Sequence, residues 1–201
     1  MAYNYRYYGG DGYSRNSFWS TVAFTIFILL TVLCVFAICF AVVAPRGEDG
    51  ASQIFGHELR IVESDSMKAH PNTDVSTYKI GSFKKYTMVA LELVPEDSAE
   101  ALNWYSTVKV GDVLTVRYTY DRQVTITHRV TSVELKEDGT GYIIKLQGDN
   151  LNSNSAQLTQ EIDTSDVTST NFVIGKVVWK SYPIGVVIGG FQRIAKAFVE
   201  E

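Results

Sequence analysis

"QVTITHRVTSVEL", residues 123–135, sets apolar side chains at every second position. Val124, Ile126, His128 and Val130 alternate with Thr125, Thr127, Arg129 and Thr131. A period of two is that of a β-strand with one face turned to a core, and it places His128 among apolar neighbours. A histidine on such a face is more often a hydrogen-bonded packing residue than a functional one. What faces it decides between the two readings.

The chain just beyond supplies a partner. "KEDGTGY" contains Asp138-Gly139, a strong signal for a tight hairpin turn. Folding the chain about that dipeptide brings Asp149 of "QGDN" close to the position opposite His128, unless a bulge near Thr131–Ser132 shifts the register. A carboxylate beside an imidazole on a half-buried face orients and charges a general base. Asp149-Asn150 reads equally as a simple strand-ending turn.

The rest of the body carries the same pattern from about Gly56 onward. "YKIGSFKKYTMVALELV", "DVLTVRYTY", "GYIIKLQGDN" and "NFVIGKVVW" are rich in β-formers and separated by turn residues. Between Val94 and Val108, Asp97 and Glu100 have the spacing of a capping box, which predicts a short helix over Ser98–Ser106. The expected fold class is mostly β, an antiparallel domain on a single N-terminal transmembrane helix.

That helix is read from "FWSTVAFTIFILLTVLCVFAICFAVVA", residues 18–44, which has no charged residue. At ~1.5 Å per residue it reaches about 40 Å, more than the roughly 30 Å hydrocarbon core requires. It is too long for the apolar centre of a cleaved signal peptide, about 7–15 residues, and lacks a small-residue cleavage pattern. Arg6 and Arg15 before the span favour a cytoplasmic N-terminus and an extracytoplasmic body. The expected organisation is a disordered tail (1–17), the span (18–44), a linker (45–56), a β-rich domain (57–190) with an insertion around 72–107, and a tail or short helix (191–201).

Composition narrows the function classes. The net charge is −4, and the part beyond residue 45 stands near −5 without a basic stripe, which argues against nucleic acid. Both cysteines, Cys34 and Cys39, lie in the apolar span, so the body carries no disulfide. His57, His70 and His128 are scattered and have no cysteine beside them, so neither metal nor cofactor is expected.

Three short motifs then stand in chain order behind the anchor: Ser64-Asp65-Ser66-Met67, Thr127-His128-Arg129-Val130 and Gly148-Asp149-Asn150. In this order they resemble the type I signal peptidases, most closely the endoplasmic-reticulum, archaeal and sporulating-bacterial branch, which carries histidine where common bacterial enzymes carry lysine. "VGDVLTVRY" and "GKVVWKSYPIGVV" are similar to that family's structural strands, so the likeness runs from about Leu59 to Val187. The resemblance implies a membrane-anchored serine endopeptidase that removes signal peptides from secretory preproteins at the cell membrane. Ser66 would be the nucleophile, His128 the general base and Asp149 the acid, with the Ser64 hydroxyl and the Ser66 N–H as the oxyanion hole.

The chain departs from that family at three places. "SMKAHP" moves the expected proline to Pro71, and residues 72–107 lengthen the link to the Gly-Asp strand by what reads as an added hairpin and helix. "LNSNSAQ", with Asn152, Asn154 and Ser155, lacks the further aspartate that this branch usually has. Asp149 then serves as the acid, or Glu161 or Asp163 reaches in, or a Ser–His dyad operates, or catalysis is weak. The alternative reading is a non-catalytic or narrow-substrate relative that binds peptides or partners. At the C-terminus, "GFQRIAKAFVEE" reads as a frayed helix or as an amphipathic one on the membrane surface.

Overall fold

A computed structural model describes residues 13–43, 53–54, 56–70, 74–118, 121–152, 159–166 and 172–199. The expected tail up to residue 12, most of the linker, and Asn154 and Ser155 lie outside these residues. Helix α1 runs Tyr13–Val43, starting five residues before the apolar span expected from residue 18. Its stretch Phe18–Val35 is long and apolar enough to cross a membrane, and Phe18, Trp19, Phe24 and Phe27 on it are exposed.

The second compact unit begins at Pro45 and is mostly antiparallel β. Its strands are β1 (Gln53–Ile54), β2 (His57–Ile61), β3 (Met88–Leu93), β4 (Val113–Tyr118), β5 (Asp121–Leu135), β6 (Tyr142–Gln147), β7 (Gln160–Asp163) and β8 (Phe172–Ser181). They form one sheet in the order β1-β2-β3-β8-β4-β5-β6-β7, every pair antiparallel. The last strand thus closes between β3 and β4. The described part of the segment expected to be an insertion, residues 74–107, runs into the sheet itself. It supplies β3, an interior strand paired on both sides, and then helix α2 (Ser98–Ser106).

Helix α2 starts where the sequence signal puts it. The Asp97 side chain accepts hydrogen bonds from the N–H groups of Ala99 and Glu100, two donors that the first helical turn leaves without partners. Trp104 and Tyr105 at its far end are buried, and burial pushes the Tyr105 phenol up to about 12.

Strand alternation divides the core in two. Leu114, Val116, Val130, Ile144, Leu146, Ile162 and Val173 join Trp104 and Tyr105 in one cluster. Val62, Met67, Ile80, Phe83, Val89, Leu91, Val113 and Val177 form the other. Neighbours Val113 and Leu114 enter different clusters, as successive residues of a strand must. Where β8 crosses β3 the contact is tight: a Cβ on Gly175 would stand 2.5 Å from the Glu92 carbonyl oxygen, so only glycine fits. After β8, helix α3 runs Tyr182–Val199, so the C-terminal helix begins nine residues before the expected tail at 191.

Candidate active site

Two of the three motifs meet through backbone. Ser66 and Met67 lie in a tight turn after β2, where Lys68 N–H donates to the Asp65 carbonyl at 3.0 Å. The Asn150 N–H donates to the Ser66 carbonyl at 2.8 Å, and the Asn150 amide donates to the Asp65 carbonyl at 3.0 Å. The Gly-Asp-Asn turn therefore grips the Ser-Asp-Ser-Met turn directly. Met67 is fully buried in the second cluster and fastens the same turn to the core, while Phe83 N–H closes on the Met67 carbonyl at 2.8 Å.

The serine hydroxyls form a pair. Ser66 is 4% exposed, and its Oγ lies 3.1 Å from the Ser64 Oγ. Asp65 between them is exposed and accepts from the Lys85 N–H at 2.8 Å, a local loop contact.

The hairpin brings a correction. From Leu135↔Tyr142 to Ser132↔Lys145 the pairing is regular, and its continuation would set His128 opposite Asp149. Thr131 is instead the extra residue of a bulge: Val130 pairs with Leu146 and Arg129 with Gln147. Continued by one residue, this register sets His128 opposite Gly148. A one-residue slip exchanges the two faces of a strand, so Asp149 arrives on the face of Arg129 rather than that of His128.

Asp149 is accordingly held by Arg129. The Arg129 Nε donates to Oδ1 at 2.8 Å and Nη2 donates to Oδ2 at 2.7 Å, with the two side chains only 6% and 3% exposed. Ser82 Oγ donates to Oδ2 at 2.6 Å. Arg129 Nη1 donates to the carbonyls of Ile80 and Gly111, and Tyr78 lies against the guanidinium at 4.7 Å. Tyr78, Ile80 and Ser82 come from the chain between Ser66 and β3, so this lengthened link encloses the pair. Gly111 has φ +97, and the Tyr78 ring occupies the place of its missing Cβ, so a side chain there is excluded on both counts.

The His128 ring is fully buried, and its Nδ1 lies 2.6 Å from the Oε1 of Gln160 on β7. Leu146 pairs with both Val130 and Gln160, which puts Gln160 on the face that His128 shares. Its Nε2 is buried and has no hydrogen-bond partner among the described residues. Burial lowers the His128 pKa below the ordinary imidazole value, with the Gln160 bond and the negative charge of Asp149 acting the other way. The other two candidate acids face away from the ring: Glu161 pairs with Lys145 at 3.7 Å, and Asp163 with Lys136 at 2.7 Å. Hydrogen bonds from Lys136 and Ser165 hold the Asp163 carboxyl down at about 2.

Ser66 and His128 are both buried, but no hydrogen bond joins them. A cavity of about 460 Å³ opens one step along the chain, lined by Lys68, Ala69, Phe83, Thr87, Lys180 and Tyr182 among others. Lys180 Nζ there donates to the carbonyls of Gly81 and Ser82, both at 2.6 Å. Burial and then the nearby Arg129 charge lower its pKa, against the opposing pull of Asp149. Among the described residues no cluster of three or more metal-ligating side chains occurs.

Arg129, Ser82 and Gln160 were not among the expected site residues. Arg129 was visible only as the polar neighbour of His128. Gln160 had one signal, its two-residue spacing from Ile162 in "QEID". Comparison with protein-family models and with curated proteins gives no match to this chain.

Proposed function

We propose that this chain is a membrane-anchored serine endopeptidase that cleaves signal peptides from secretory preproteins, with Ser66 as nucleophile and His128 as general base. The observation that carries the reading is the His128 ring: buried, bonded through Nδ1, unbonded at Nε2, and on the strand beside the turn that grips Ser66. A neutral imidazole with a free Nε2 lone pair is the form that accepts a proton from a serine hydroxyl. In this reading α1 anchors the chain with its N-terminus in the cytoplasm, and the β domain meets its substrate outside.

The chemistry runs as an acyl transfer. A preprotein segment binds extended, in the manner of an added strand, and the Ser66 hydroxyl turns from Ser64 toward His128 Nε2. As the proton moves to the ring, Oγ attacks the scissile carbonyl, and the developing oxyanion takes hydrogen bonds from the Ser64 hydroxyl and the Ser66 N–H. The ring returns the proton to the leaving amine. Water then repeats the sequence on the acyl-enzyme, freeing Ser66.

The test is the purified full chain in detergent with a secreted preprotein, the cut mapped by mass spectrometry. Ser66→Ala and His128→Ala each abolish cleavage while melting as cooperatively as the parent chain. Normal cleavage by either variant refutes the assignment. A second reading, a membrane-tethered domain that binds peptides without cutting them, draws on two observations. Ser66 bonds to Ser64 rather than to His128, and Met67 belongs to the core cluster on the other side of the sheet from His128. That reading expects peptide binding that persists in Ser66→Ala and no cleavage by the parent.

A further inference from the structure

We infer that Gln160 is the positioning residue of this site: its amide takes the place at His128 Nδ1 that a carboxylate holds in a Ser–His–Asp triad. The inference rests on the reading of His128 as the base. It deepens that reading by naming what holds the ring and how the site responds to pH.

The geometry has two independent parts, the first of which fixes the tautomer. The contact is short, 2.6 Å between Nδ1 and Oε1, and both side chains are buried, His128 completely and Gln160 to within 9%. An amide oxygen only accepts hydrogen bonds, so a bond to Oε1 requires the proton on Nδ1 and leaves Nε2 as an unprotonated lone pair. That tautomer is the one a general base needs. In addition, β7 alternates Gln160 and Ile162 inward with Glu161 and Asp163 outward, so the strand turns a neutral amide to the ring and sends both its carboxylates to lysines.

The placement is also costly unless it serves a partner. Gln160 shares its face with the apolar cluster of Leu146 and Ile162, where an amide without a partner would lose its hydration and gain nothing in return. The ring and the amide stand two strands apart, about 10 Å between backbones, and the two side chains reach across β6 to meet.

Among the described residues the charged groups around the ring are few. β4 offers Leu114 as the residue paired with His128, and β7 offers Gln160. β5 and the turn after β6 offer Arg129 and Asp149, joined to one another, with Lys180 of β8 beyond them. A neutral orienting group fixes the ring but does not stabilise the imidazolium as a carboxylate does. The acid limb of activity therefore lies below the ordinary histidine value, and the site keeps its base free in mildly acidic surroundings.

The experiment uses the full chain in detergent with isotope-labelled histidine, His128 being assigned through His57 and His70 variants. At pH 8 the ring nitrogen shifts of the parent chain show Nδ1 protonated and Nε2 bare. The opposite tautomer overturns the inference without any substitution at Gln160. In Gln160→Glu, nearly isosteric, the His128 titration moves up by about 1–3 pH units, the effect of an opposite charge placed in contact, and the acid limb of processing moves with it. In Gln160→Leu the single tautomer is lost and kcat falls by roughly 10–100-fold at little-changed KM, the scale seen when the group that orients a metal-ligating imidazole is removed. A His128 titration unmoved in Gln160→Glu overturns the inference even if processing is vigorous. A titration that moves as stated, in a chain that cleaves no preprotein at any pH, upholds Gln160 as the group that holds the ring and refutes the proposed function instead.

Discussion

Replacing Asp149 separates a structural role from a catalytic one. In Asp149→Ala, Arg129 loses the acceptors of its Nε and Nη2, and Ser82 loses the acceptor of its hydroxyl. Arg129 keeps the Ile80 and Gly111 carbonyls on Nη1 but remains a buried cation, 6% exposed, without a counter-ion. Removing one partner of a buried pair costs about 3–5 kcal/mol, mostly for the charge left behind. For a domain of roughly 150–200 residues, each kcal/mol moves Tm by about 2–4 °C, so the melt should fall by about 6–20 °C. Thermal unfolding of the full chain in detergent, followed by tryptophan fluorescence, reads this directly. The double variant Arg129→Met/Asp149→Leu removes both charges and should recover much of the loss, a coupling that a double-mutant cycle measures. A melt within about 2 °C of the parent, with cleavage abolished, would refute the reasoning and return Asp149 to the role of triad acid.

Two further outcomes follow from burial. Met67→Ala should cost about 2–5 kcal/mol in denaturant unfolding, because the side chain is fully buried among Val62, Val89, Leu91 and Val113, and a loss under about 1 kcal/mol would contradict the anchoring of the Ser66 turn. His128, held by burial below its ordinary pKa, gives stability that is present above about pH 6.5 and is lost as pH falls from there through the depressed folded value, since the unfolded chain binds the proton first. Melts of the parent and of His128→Leu between pH 8 and 5 should therefore converge toward the acid side, and a constant difference would count against a buried neutral ring.

Much of the architecture was legible because it rests on local rules. The alternation at Val124–Val130 predicts a strand with His128 inward, and β5 buries that residue completely. The Asp138-Gly139 pair predicts the turn, and Gly139 takes the positive φ of +68 that such turns require. Asp97 predicts the start of α2 to the residue. Long-range pairings were not legible. "TMVALEL" looked like part of an added hairpin, yet it lies between β2 and β8, strands distant in the chain, and no local signal encodes such a crossover. Strand β7 escaped altogether. It is four residues long, and Ile162 is its one apolar side chain in the core, too little for periodicity to register.

Which face Asp149 takes turns on one residue, the bulge expected near Thr131–Ser132. Counting back from the Asp138-Gly139 turn sets Asp149 across from His128, and the first four pairs of the hairpin follow that count. Thr131 then stands as a residue too many, and every later side chain of β6 changes face relative to β5. The bulge sets Asp149 on the face of Arg129, which binds it, and away from that of His128. The ring's partner must then come from the next strand out, where the inward residue nearest to it is Gln160. The carboxylate of the Gly-Asp-Asn motif thereby pairs with Arg129, and an amide outside any motif bonds the imidazole. The two arrangements are coupled, since a hairpin without the extra residue would bring the charged group of the Arg129 face against the ring. Sequence motifs record which residues are present near a site, and the parity of the intervening strand decides which of them reach one another.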